Sequence, residues 1–426
     1  MLPKPLVGVR VLDLTHGVAG PATTQLMGDL GAEVIKIEPT QGRMQPYSPW
    51  ILVLPGKTAG VPHYNRSPYV NEMYRSKLDC AIDLRTESGR QVFLDLARVS
   101  DVVVENFSSR VMKKFGLEYA ALRAVNPTII MVSLPAFGRQ GPWRDKLSWG
   151  PGINASSGFA WLTGYLGGPP MKAGNYYADF SGGLHAAFAA VLALRHRQKT
   201  GRGQLVEAPL REAEMALLGE AFIGISMEQE PMKRLGNRDP LMAPHGCYPC
   251  RGQDRWAAIA VRTEEEWTRL CHIMGRPGLL ADPRFRQPTA RWAHQDELDK
   301  YITDWTSARE QYQVMRQLQD ASIPCGAVLD CAQLVQDPHV RARQAYLTLR
   351  DPDLGDVIAR RQASRFSRSP MGPERPGPRY AEHNTWVFGE LLGLGQKQQA
   401  QWEEEGVTSR VPLQSYEHSQ IEERSR

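Results

Sequence analysis

The first 135 residues alternate between short apolar segments and amphipathic ones, and this alternation constrains the fold more than any other feature of the chain. Apolar runs of strand length occur at 9–14, 32–38, 101–105 and 128–133, and apolar residues at helical spacing occur at 21–30, 89–99, 111–115 and 120–125. Pro21 stands in the first turn of the first helix and Gly31 just past its end, which is typical of helix termini. Strands separated by helices predict an α/β fold with a Rossmann-like parallel sheet.

Three loops follow predicted strands, at residues 16–20, 105–107 and 134–138. Ligands of parallel α/β sheets bind beyond the carboxyl ends of the strands, so these loops form the expected binding edge. The loop after the first strand, residues 15–21, reads Thr-His-Gly-Val-Ala-Gly-Pro and lacks the G-x-G-x-x-G fingerprint of dinucleotide sites. Pro21 also removes an amide that a phosphate would use. We therefore expect no nicotinamide or flavin dinucleotide at this edge.

A second folding unit follows the first. Residues 226–330 begin with a charged segment and continue with a predicted strand, several helices and a further strand. We expect a smaller α+β domain at 226–330, and a large Rossmann-like domain at 1–225 that the C-terminal residues 331–426 complete. The last part of the chain, 396–426, is so polar that we expect a partly mobile tail.

The composition of the chain limits its partners. The 426 residues are 42% hydrophobic and 23% charged, and 51 basic against 46 acidic residues leave a net charge of only +5. A nucleic-acid partner is not expected from so even a balance. The first eight residues lack the apolar stretch of a signal peptide, and no run of about 18 apolar residues stands out. We expect a cytoplasmic protein with no membrane partner.

Six cysteines are scattered along the chain, which is not the dense framework of a small secreted domain. Cys247 and Cys250 have the spacing of half a zinc site, but no second pair or histidine couple completes a ligand set. We expect two reduced thiols in a turn or strand and no metal site.

Asp179 is the strongest candidate for a catalytic residue. It is the one carboxylate in residues 174–183, which are otherwise small and aromatic, and a stripe of apolar residues at helical spacing follows it: Leu184, Ala187, Phe188, Val191, Leu192 and Leu194. An acid at the start of a buried helix can cap that helix by accepting amide hydrogen bonds. The same bonds would hold the oxygen of a nucleophile in place. The segment alone leaves both interpretations open.

A series of short segments occurs in a fixed order along nearly the whole chain: 6–14, 19–21, 30–38, 82–84, 101–107, 126–127, 137–142, 179 with 183, 195–204, and 337–339. Each is weak alone, but the ordered series resembles the class III coenzyme A transferases, the family of formyl-CoA and carnitine CoA transferases. The resemblance implies an interlocked dimer in which two chains thread through one another as linked rings. The partner is then an identical chain or a related subunit of a heteromer.

The resemblance places Asp179 on the family's catalytic aspartate. It implies attack of this carboxylate on an acyl-CoA, which gives a mixed anhydride and then an aspartyl-CoA thioester. Coenzyme A thioester is thus a substrate, and no permanently bound cofactor is expected. Burial would raise the pKa of such a carboxyl group, so we expect nearby backbone amides to offset that cost.

Seven positions are implied to bind CoA: Val18 and Ala19 along the pantetheine, Arg75 and Lys77 near the nucleotide, Asn106 and Phe107 at a strand end, and Lys114 in the basic position after it. Basic side chains suit phosphates, and Phe107 offers a flat apolar surface. Lys77 and Lys114 are equally interpretable as solvated charges, and Phe107 as a core residue.

Departures from the family pattern bear on the substrate. Val18 stands where formyl-CoA transferases carry glutamine, residues 148–154 lack their glutamate, and residues 42–46 lack the usual pattern for adenine-side contacts. We expect a less polar cleft around Asp179 than in those enzymes, and no oxalate or formate specificity. A bulkier, partly apolar acyl group is favoured, such as an aryl or branched dicarboxylic acid, with succinyl-CoA as the donor.

Two alternatives remain beside a CoA-transferase. Alpha-methylacyl-CoA racemases of the same fold pair the aspartate with a histidine, which would fall near Trp149 or Gly150, where this chain has none. A noncatalytic CoA-binding subunit of a hetero-oligomeric transferase fits the unusual residues at 148–154, but not the intact segment around Asp179.

Overall fold

The computed structural model describes residues 2–41, 68–174, 176–228 and 231–412. Its strands are β1 (Arg10–Asp13), β2 (Glu33–Glu38), β3 (Lys77–Ala81), β4 (Val102–Glu105), β5 (Ile130–Ser133), β6 (Leu205–Glu207), β7 (His245–Pro249), β8 (Trp256–Ala260), β9 (Cys325–Val328), β10 (Tyr346–Asp351) and β11 (Gly355–Arg360). Its α-helices are α1 (Ala19–Asp29), α2 (Pro68–Tyr74), α3 (Glu87–Arg98), α4 (Val111–Phe115), α5 (Tyr119–Val125), α6 (Gly150–Ser157), α7 (Phe159–Leu162), α8 (Tyr177–Thr200), α9 (Leu210–Met215), α10 (Gly219–Glu228), α11 (Glu264–Ile273), α12 (Pro288–Ala293), α13 (Gln295–Ser307), α14 (Gln311–Asp320), α15 (Cys331–Gln336), α16 (Pro338–Ala342) and α17 (Gln396–Glu404).

A six-stranded sheet forms the centre of the fold, in the order β3-β2-β1-β4-β5-β6. Every neighbouring pair is parallel, so the predicted α/β architecture with a parallel sheet is confirmed. The strand order reverses between β1 and β4, and a crevice at such a switch point is where doubly wound sheets bind ligands. The loops after β1 and β4 therefore lie at the edge expected from the sequence.

Two strands of this sheet were not predicted. In β3, Lys77 and Asp79 interrupt the apolar pattern, yet all five residues of the strand are buried. In β6, only three residues form the strand and its two ends are exposed, so it carries little apolar signal. Both are edge strands of the sheet.

Side chains of the central strands alternate between two apolar layers, one on each face of the sheet. Leu12 and Val103 face the layer formed with α3, and Val387 and Phe388 of the C-terminal region pack into the same layer. On the opposite face, Val11 packs in the layer formed with α1, α6, α8 and α9. Helices thus cover both faces, which explains why the central strands are almost entirely buried.

The chain divides into two compact units. The first comprises Met1–Ala160, Lys172–Ile223 and Ala342–Arg426, and holds the parallel sheet and the β10–β11 hairpin. The second comprises Trp161–Met171 and Gly224–Arg341.

The second unit is an α+β structure with its own core. Its sheet is antiparallel, in the order β7-β8-β9. Thr263 and Glu266 form a capping box at the start of α11, as the Thr-x-x-Glu spacing at that point allows. Trp267, Leu298 and Val314, from α11, α13 and α14, meet in the core.

Helix α8 turns its small residues inward, which corrects the expected apolar stripe. Ala187 and Leu194 are buried, but Leu184, Phe188, Val191 and Leu192 face outward, and Phe188 is 65% exposed. The reason is the close packing of α1 on α8, because a Cβ atom added at Gly183 would lie 2.7 Å from the carbonyl oxygen of Ala19. Only small residues fit on that face of the helix.

Among the described residues, α8 is also the one helix that is long and apolar enough to cross a membrane. The sequence analysis did not anticipate such a stretch. Within its most apolar window, 44% of the helix is buried inside the protein, and core helices of that kind satisfy the same length and hydropathy test. Length and composition alone are therefore weak evidence for a membrane.

Part of the polar C-terminal region, which we expected to be a partly mobile tail, is ordered helix. Residues 396–404 form α17, and Trp402 of this helix packs edge-on against Phe388, with ring centroids 5.8 Å apart. The described residues do not include 413–426. They also do not include 42–46, the segment in which the family pattern for adenine-side contacts is missing.

Candidate active site

Asp179 lies in the first turn of α8 and is only 9% exposed. Its carboxylate accepts hydrogen bonds from the backbone N–H of Ala19, the first residue of α1, and from its own N–H. The side chain is therefore placed at the N-termini of two helices, where unpaired amides and the helix dipoles stabilise negative charge. The expected amide hydrogen bonds are present.

The charge balance around Asp179 favours a carboxyl group that titrates close to neutral pH. Burial raises its pKa from 3.8 to about 6, the Ala19 amide opposes this rise, and the negative charge of Glu214 adds to it. Burial and the charge of Asp179 also raise the pKa of Tyr69 well beyond its usual range. At pH 7 the ionised form of Asp179 still exceeds the protonated form by about tenfold. The group is thus an available nucleophile that is more basic than an exposed aspartate.

Gly150, the first residue of α6, leaves the space that the carboxylate occupies. A Cβ atom at this position would lie 2.6 Å from Oδ2 of Asp179 and 3.9 Å from Cδ1 of Tyr176. Any larger residue would push the carboxylate or the helix aside. The N-terminus of α6 consequently lies directly against Asp179.

Glu214 is a second buried carboxylate that sequence reasoning missed. It lies on α9, accepts a hydrogen bond from Nδ2 of Asn154, and accepts another from Oγ of Ser157 at 2.8 Å. The negative charge of Glu214 acts on Asp179 from a helix other than the one that contains residues 150–154. The less polar cleft stays a prediction. The spacing of the sequence could have predicted this burial. Glu214 is four residues after Leu210 and four before Leu218, which are both buried, and so it lies on an apolar helix face.

Three of the residues implied to bind CoA lie close to one another or to Asp179. Val18 is half-buried at the N-cap of α1, next to Ala19. Asn106 joins the ends of β4 and β1, because its Oδ1 accepts from the His16 N–H at 2.8 Å and its Nδ2 donates to the His16 carbonyl. These contacts join the loops that follow β1 and β4, at the switch point of the sheet.

Phe107 and Lys114 lie farther along the same region. The Phe107 ring lies 5.5 Å from the His16 ring and is half-buried against the core layer that contains α3, and its role in CoA binding stays a prediction. Lys114 is exposed in the last turn of α4, the helix that follows this loop. The basic position after the strand is thus open to solvent.

Arg75 and Lys77 are buried, which corrects the expectation that both lie at the nucleotide and the alternative that Lys77 is a solvated charge. Arg75 is 1% exposed and pairs with Asp29 at 2.7 Å, and Lys77 is 0% exposed and pairs with Asp13 at 2.9 Å. Both cations neutralise buried carboxylates inside the fold. In these positions they cannot contact a nucleotide directly, and they are not solvated charges either.

The cysteine pair shows no ligand set in the part of the chain that the structure describes. Cys247 lies in β7 and Cys250 follows that strand, and all six cysteines are free thiols. No group of three or more His, Cys, Asp and Glu side chains that could hold a metal occurs among the described residues.

Comparison with known proteins identifies the family. The model of CoA-transferase family III matches residues 6–384. The chain therefore belongs to CoA-transferase family III and is a class III CoA-transferase, an enzyme class whose substrates are CoA thioesters. This confirms the resemblance found in the sequence.

Individual relatives agree with this assignment. The chain is 36% identical to the succinyl-CoA–D-citramalate CoA-transferase of Chloroflexus aurantiacus, over 92% of this chain and 95% of that protein. It is 30% identical to the beta subunit of the succinyl-CoA–L-malate CoA-transferase of the same organism, over 92% and 96%. A crystal structure of a CAIB/BAIF family protein from Brucella suis has a TM-score of 0.83 at 28% identity, over 92% of this chain and all of that one.

Proposed function

We propose that this protein transfers CoA from succinyl-CoA to a second carboxylic acid, with Asp179 as the nucleophile. The observation that carries the proposal is a buried carboxylate, held by the Ala19 amide at the N-termini of two helices, with a pKa of about 6. Two relatives, which by name act on succinyl-CoA with D-citramalate or L-malate, support this donor and a dicarboxylic acceptor.

The proposed first half-reaction loads the enzyme with CoA. The Asp179 carboxylate attacks the thioester carbonyl carbon of the donor, and the CoA thiolate leaves, which gives a mixed anhydride. The thiolate then attacks the aspartyl carbonyl carbon of this anhydride and expels succinate. The product is an aspartyl-CoA thioester, and no net proton or electron has been gained or lost.

The second half-reaction repeats these steps in reverse order. The carboxylate of the acceptor attacks the aspartyl thioester, and CoA thiolate leaves again. The thiolate then attacks the acceptor carbonyl carbon of the new anhydride, which releases the acceptor acyl-CoA and restores Asp179. Each step exchanges one activated acyl group for another, so the pathway needs exclusion of water more than proton transfer.

Residues around Asp179 suit this sequence of steps. The Ala19 amide keeps the carboxylate ionised, and the missing side chain of Gly150 leaves room beside its Oδ2. Low exposure of Asp179 limits the access of water to an anhydride. Each of these features acts on the same carboxyl group.

Aromatic side chains beside Asp179 favour an acceptor with an apolar part. Trp149, directly before Gly150, is 66% exposed, and Tyr176 and Tyr177 are also exposed. The Phe159 ring lies 5.2 Å from that of Tyr177. An aryl or branched acid would contact such surfaces through its carbon skeleton.

A cation near the same aromatic residues suits a second carboxylate. The Nζ atom of Lys172 lies 6.0 Å from the centroid of the Tyr176 ring. Together with the apolar surface, this charge favours a branched or aryl dicarboxylic acceptor over a small acid such as formate.

Two copies of the chain are proposed to form the interlocked dimer of the family. The outward face of α8, formed by Leu184, Phe188, Val191 and Leu192, is a large apolar surface that a second chain would cover. Light scattering should give twice the chain mass of 47.7 kDa, and a monomer would contradict the proposal. A related subunit as the partner is the alternative, since one relative is a beta subunit by name.

We also propose a cytoplasmic location, which cell fractionation tests.

A panel assay tests the reaction. Purified protein is incubated with succinyl-CoA and, one at a time, formate, oxalate, malate, citramalate and aryl-substituted dicarboxylic acids, and acyl-CoA products are separated by chromatography. We expect transfer to the branched or aryl dicarboxylic acids, and loss of transfer in Asp179→Asn. Binding of CoA without transfer to any acid would favour the noncatalytic subunit, and proton exchange next to the thioester carbonyl would favour the racemase.

A further inference from the structure

Glu214 is buried among neutral partners. It is fully inaccessible to solvent, and it accepts hydrogen bonds from the Asn154 amide and the Ser157 hydroxyl. Within the described residues, no ion pair neutralises it. A buried carboxylate without a cation is energetically costly, and this cost raises the pKa of Glu214, which the two donors only partly offset.

Helix α6 connects Glu214 to the nucleophile. Its first residue, Gly150, lies against Oδ2 of Asp179, while Asn154 and Ser157 of the same helix hold Glu214. Glu214 thereby anchors the middle and the C-terminal end of the helix whose first residue lies against the Asp179 carboxylate.

A second connection runs from α8 to α9. The hydroxyl of Ser181, two residues after Asp179, donates to the carbonyl of Ala213, next to Glu214, at 2.8 Å. Gly182 brings the two helices together, because a Cβ atom there would collide with the side chain of Leu210. The two carboxylates are therefore held in a fixed relation by both helices.

Few charges in the described residues face this pair. Glu214 on α9, Tyr69 on α2 and Tyr176 before α8 are the titratable groups around Asp179. Helix α6 contains no charged residue, and α1 contains only Asp29, at its far end and paired with Arg75.

The other charged residues of α9 point elsewhere. Arg211 donates to the Ser156 carbonyl at 3.0 Å and stacks on the Trp143 ring, while Glu212 is exposed. The electrostatic influence on Asp179 from α9 is therefore that of Glu214.

We propose that Glu214 is a positioning residue that anchors α6, the helix whose first residue lies against Asp179, and places a second buried negative charge beside the nucleophile, which increases its reactivity towards acyl carbon. This role rests on the proposed function. It agrees with the rise that Glu214, after burial, adds to the pKa of Asp179. A more basic carboxylate is the stronger nucleophile, provided that it stays ionised at the working pH.

The pH profile of transfer distinguishes this role from a purely structural one. Glu214→Gln keeps the size of the side chain and the hydrogen bond from Asn154 but removes the charge. We expect the acid limb of the kcat/KM profile to move to lower pH by about half a unit to one unit, and the rate at pH 8 to fall several-fold. Glu212→Gln removes the same charge from the exposed side of the same helix and should leave the profile unchanged.

A second variant covers the case in which Glu214→Gln does not fold. Ser157→Ala removes one donor from Glu214, which makes its ionised form less favourable, and should move the acid limb in the same direction by a smaller amount. If Glu214→Gln folds and its acid limb is unchanged, the role of Glu214 is overturned. If only Ser157→Ala folds, an unchanged acid limb in that variant has the same consequence. In both cases transfer by the wild type still upholds the proposed function. Absence of transfer in the wild type would instead overturn the function itself, and with it the role that rests on it.

Discussion

Two buried aspartates on the large parallel-sheet unit show how the same side chain can serve structure or chemistry. Asp13, at the end of β1, lies beside Lys77 and Lys36, and Asp179 lies beside another carboxylate and two helix N-termini. Burial alone would raise the pKa of both. The cations hold the pKa of Asp13 at about 2, whereas that of Asp179 rises to about 6. The sign of the neighbouring charge thus separates an inert ion pair from a usable nucleophile.

The largest expected effect in this comparison is on stability at the structural site. Asp13→Asn leaves Lys77 buried without a counter-ion, so we expect the free energy of unfolding at pH 7 to fall by about 3–5 kcal/mol. Because the folded pKa is below the unfolded value, the stability from this pair is present above about pH 4 and is lost as the pH falls towards 2. Urea titration between pH 3 and 7 measures it. A loss below 1 kcal/mol at pH 7 would show that the pair contributes little.

The opposite effect is expected at Asp179, the proposed nucleophile. Because the pKa of Asp179 rises from 3.8 to about 6 on folding, the folded state binds the proton more tightly than the unfolded state does. Above pH 6, where the group is ionised in both states, this difference lowers the stability of the folded protein by about 3 kcal/mol. Asp179→Asn removes that cost, so it should be more stable than the wild type by up to about 3 kcal/mol at pH 8. The difference should vanish below about pH 4. Thermal or urea unfolding at both pH values tests this, and a destabilised variant at pH 8 would favour a capping role for Asp179.

A steric test addresses the contact between α6 and the nucleophile. Gly150→Ala places a Cβ atom 2.6 Å from Oδ2 of Asp179 and must displace one of the two. We expect kcat/KM for transfer to fall by about a hundredfold, since a displacement near 1 Å at a reacting group has effects of that size. Gly219→Ala on α10, where an added Cβ atom meets no neighbour, is the matched control. Equal activity of the two variants would show that the α6 contact does not matter.

The smallest expected effect concerns the acceptor. Lys172→Gln removes the cation near Tyr176, and we expect the KM for dicarboxylic acceptors to rise about two- to fivefold because an exposed charge contributes little. The KM for a monocarboxylic acceptor of similar size should stay the same. Equal changes for both acids would argue against an interaction of Lys172 with the second carboxylate.

Local patterns in the sequence carried much of the fold. Apolar runs and helix-end residues predicted four strands of the parallel sheet, and the Thr263–Glu266 spacing matched a capping box that the structure contains. Each of these signals lies within a few residues. The ordered family segments, with Asp179 among them, indicated the enzyme class because each segment is likewise a short local pattern.

Features that depend on distant residues were missed. Lys77 pairs with Asp13 across 64 positions, so an expected phosphate contact became a buried ion pair. Asn154 reaches Glu214 across 60 positions, and the close approach of α1 to α8 decides which face of α8 is buried. Neither sequence periodicity nor residue type alone fixes which helix supplies the neighbour, because tertiary packing decides it.

Covalent trapping tests the nucleophilic role of Asp179 most directly. The protein is incubated with succinyl-CoA, treated with hydroxylamine or borohydride, digested and analysed by mass spectrometry. We expect modification of Asp179 alone, dependent on the acyl-CoA and absent in Asp179→Asn. Continued turnover with Asp179 unmodified would contradict a covalent route through this residue.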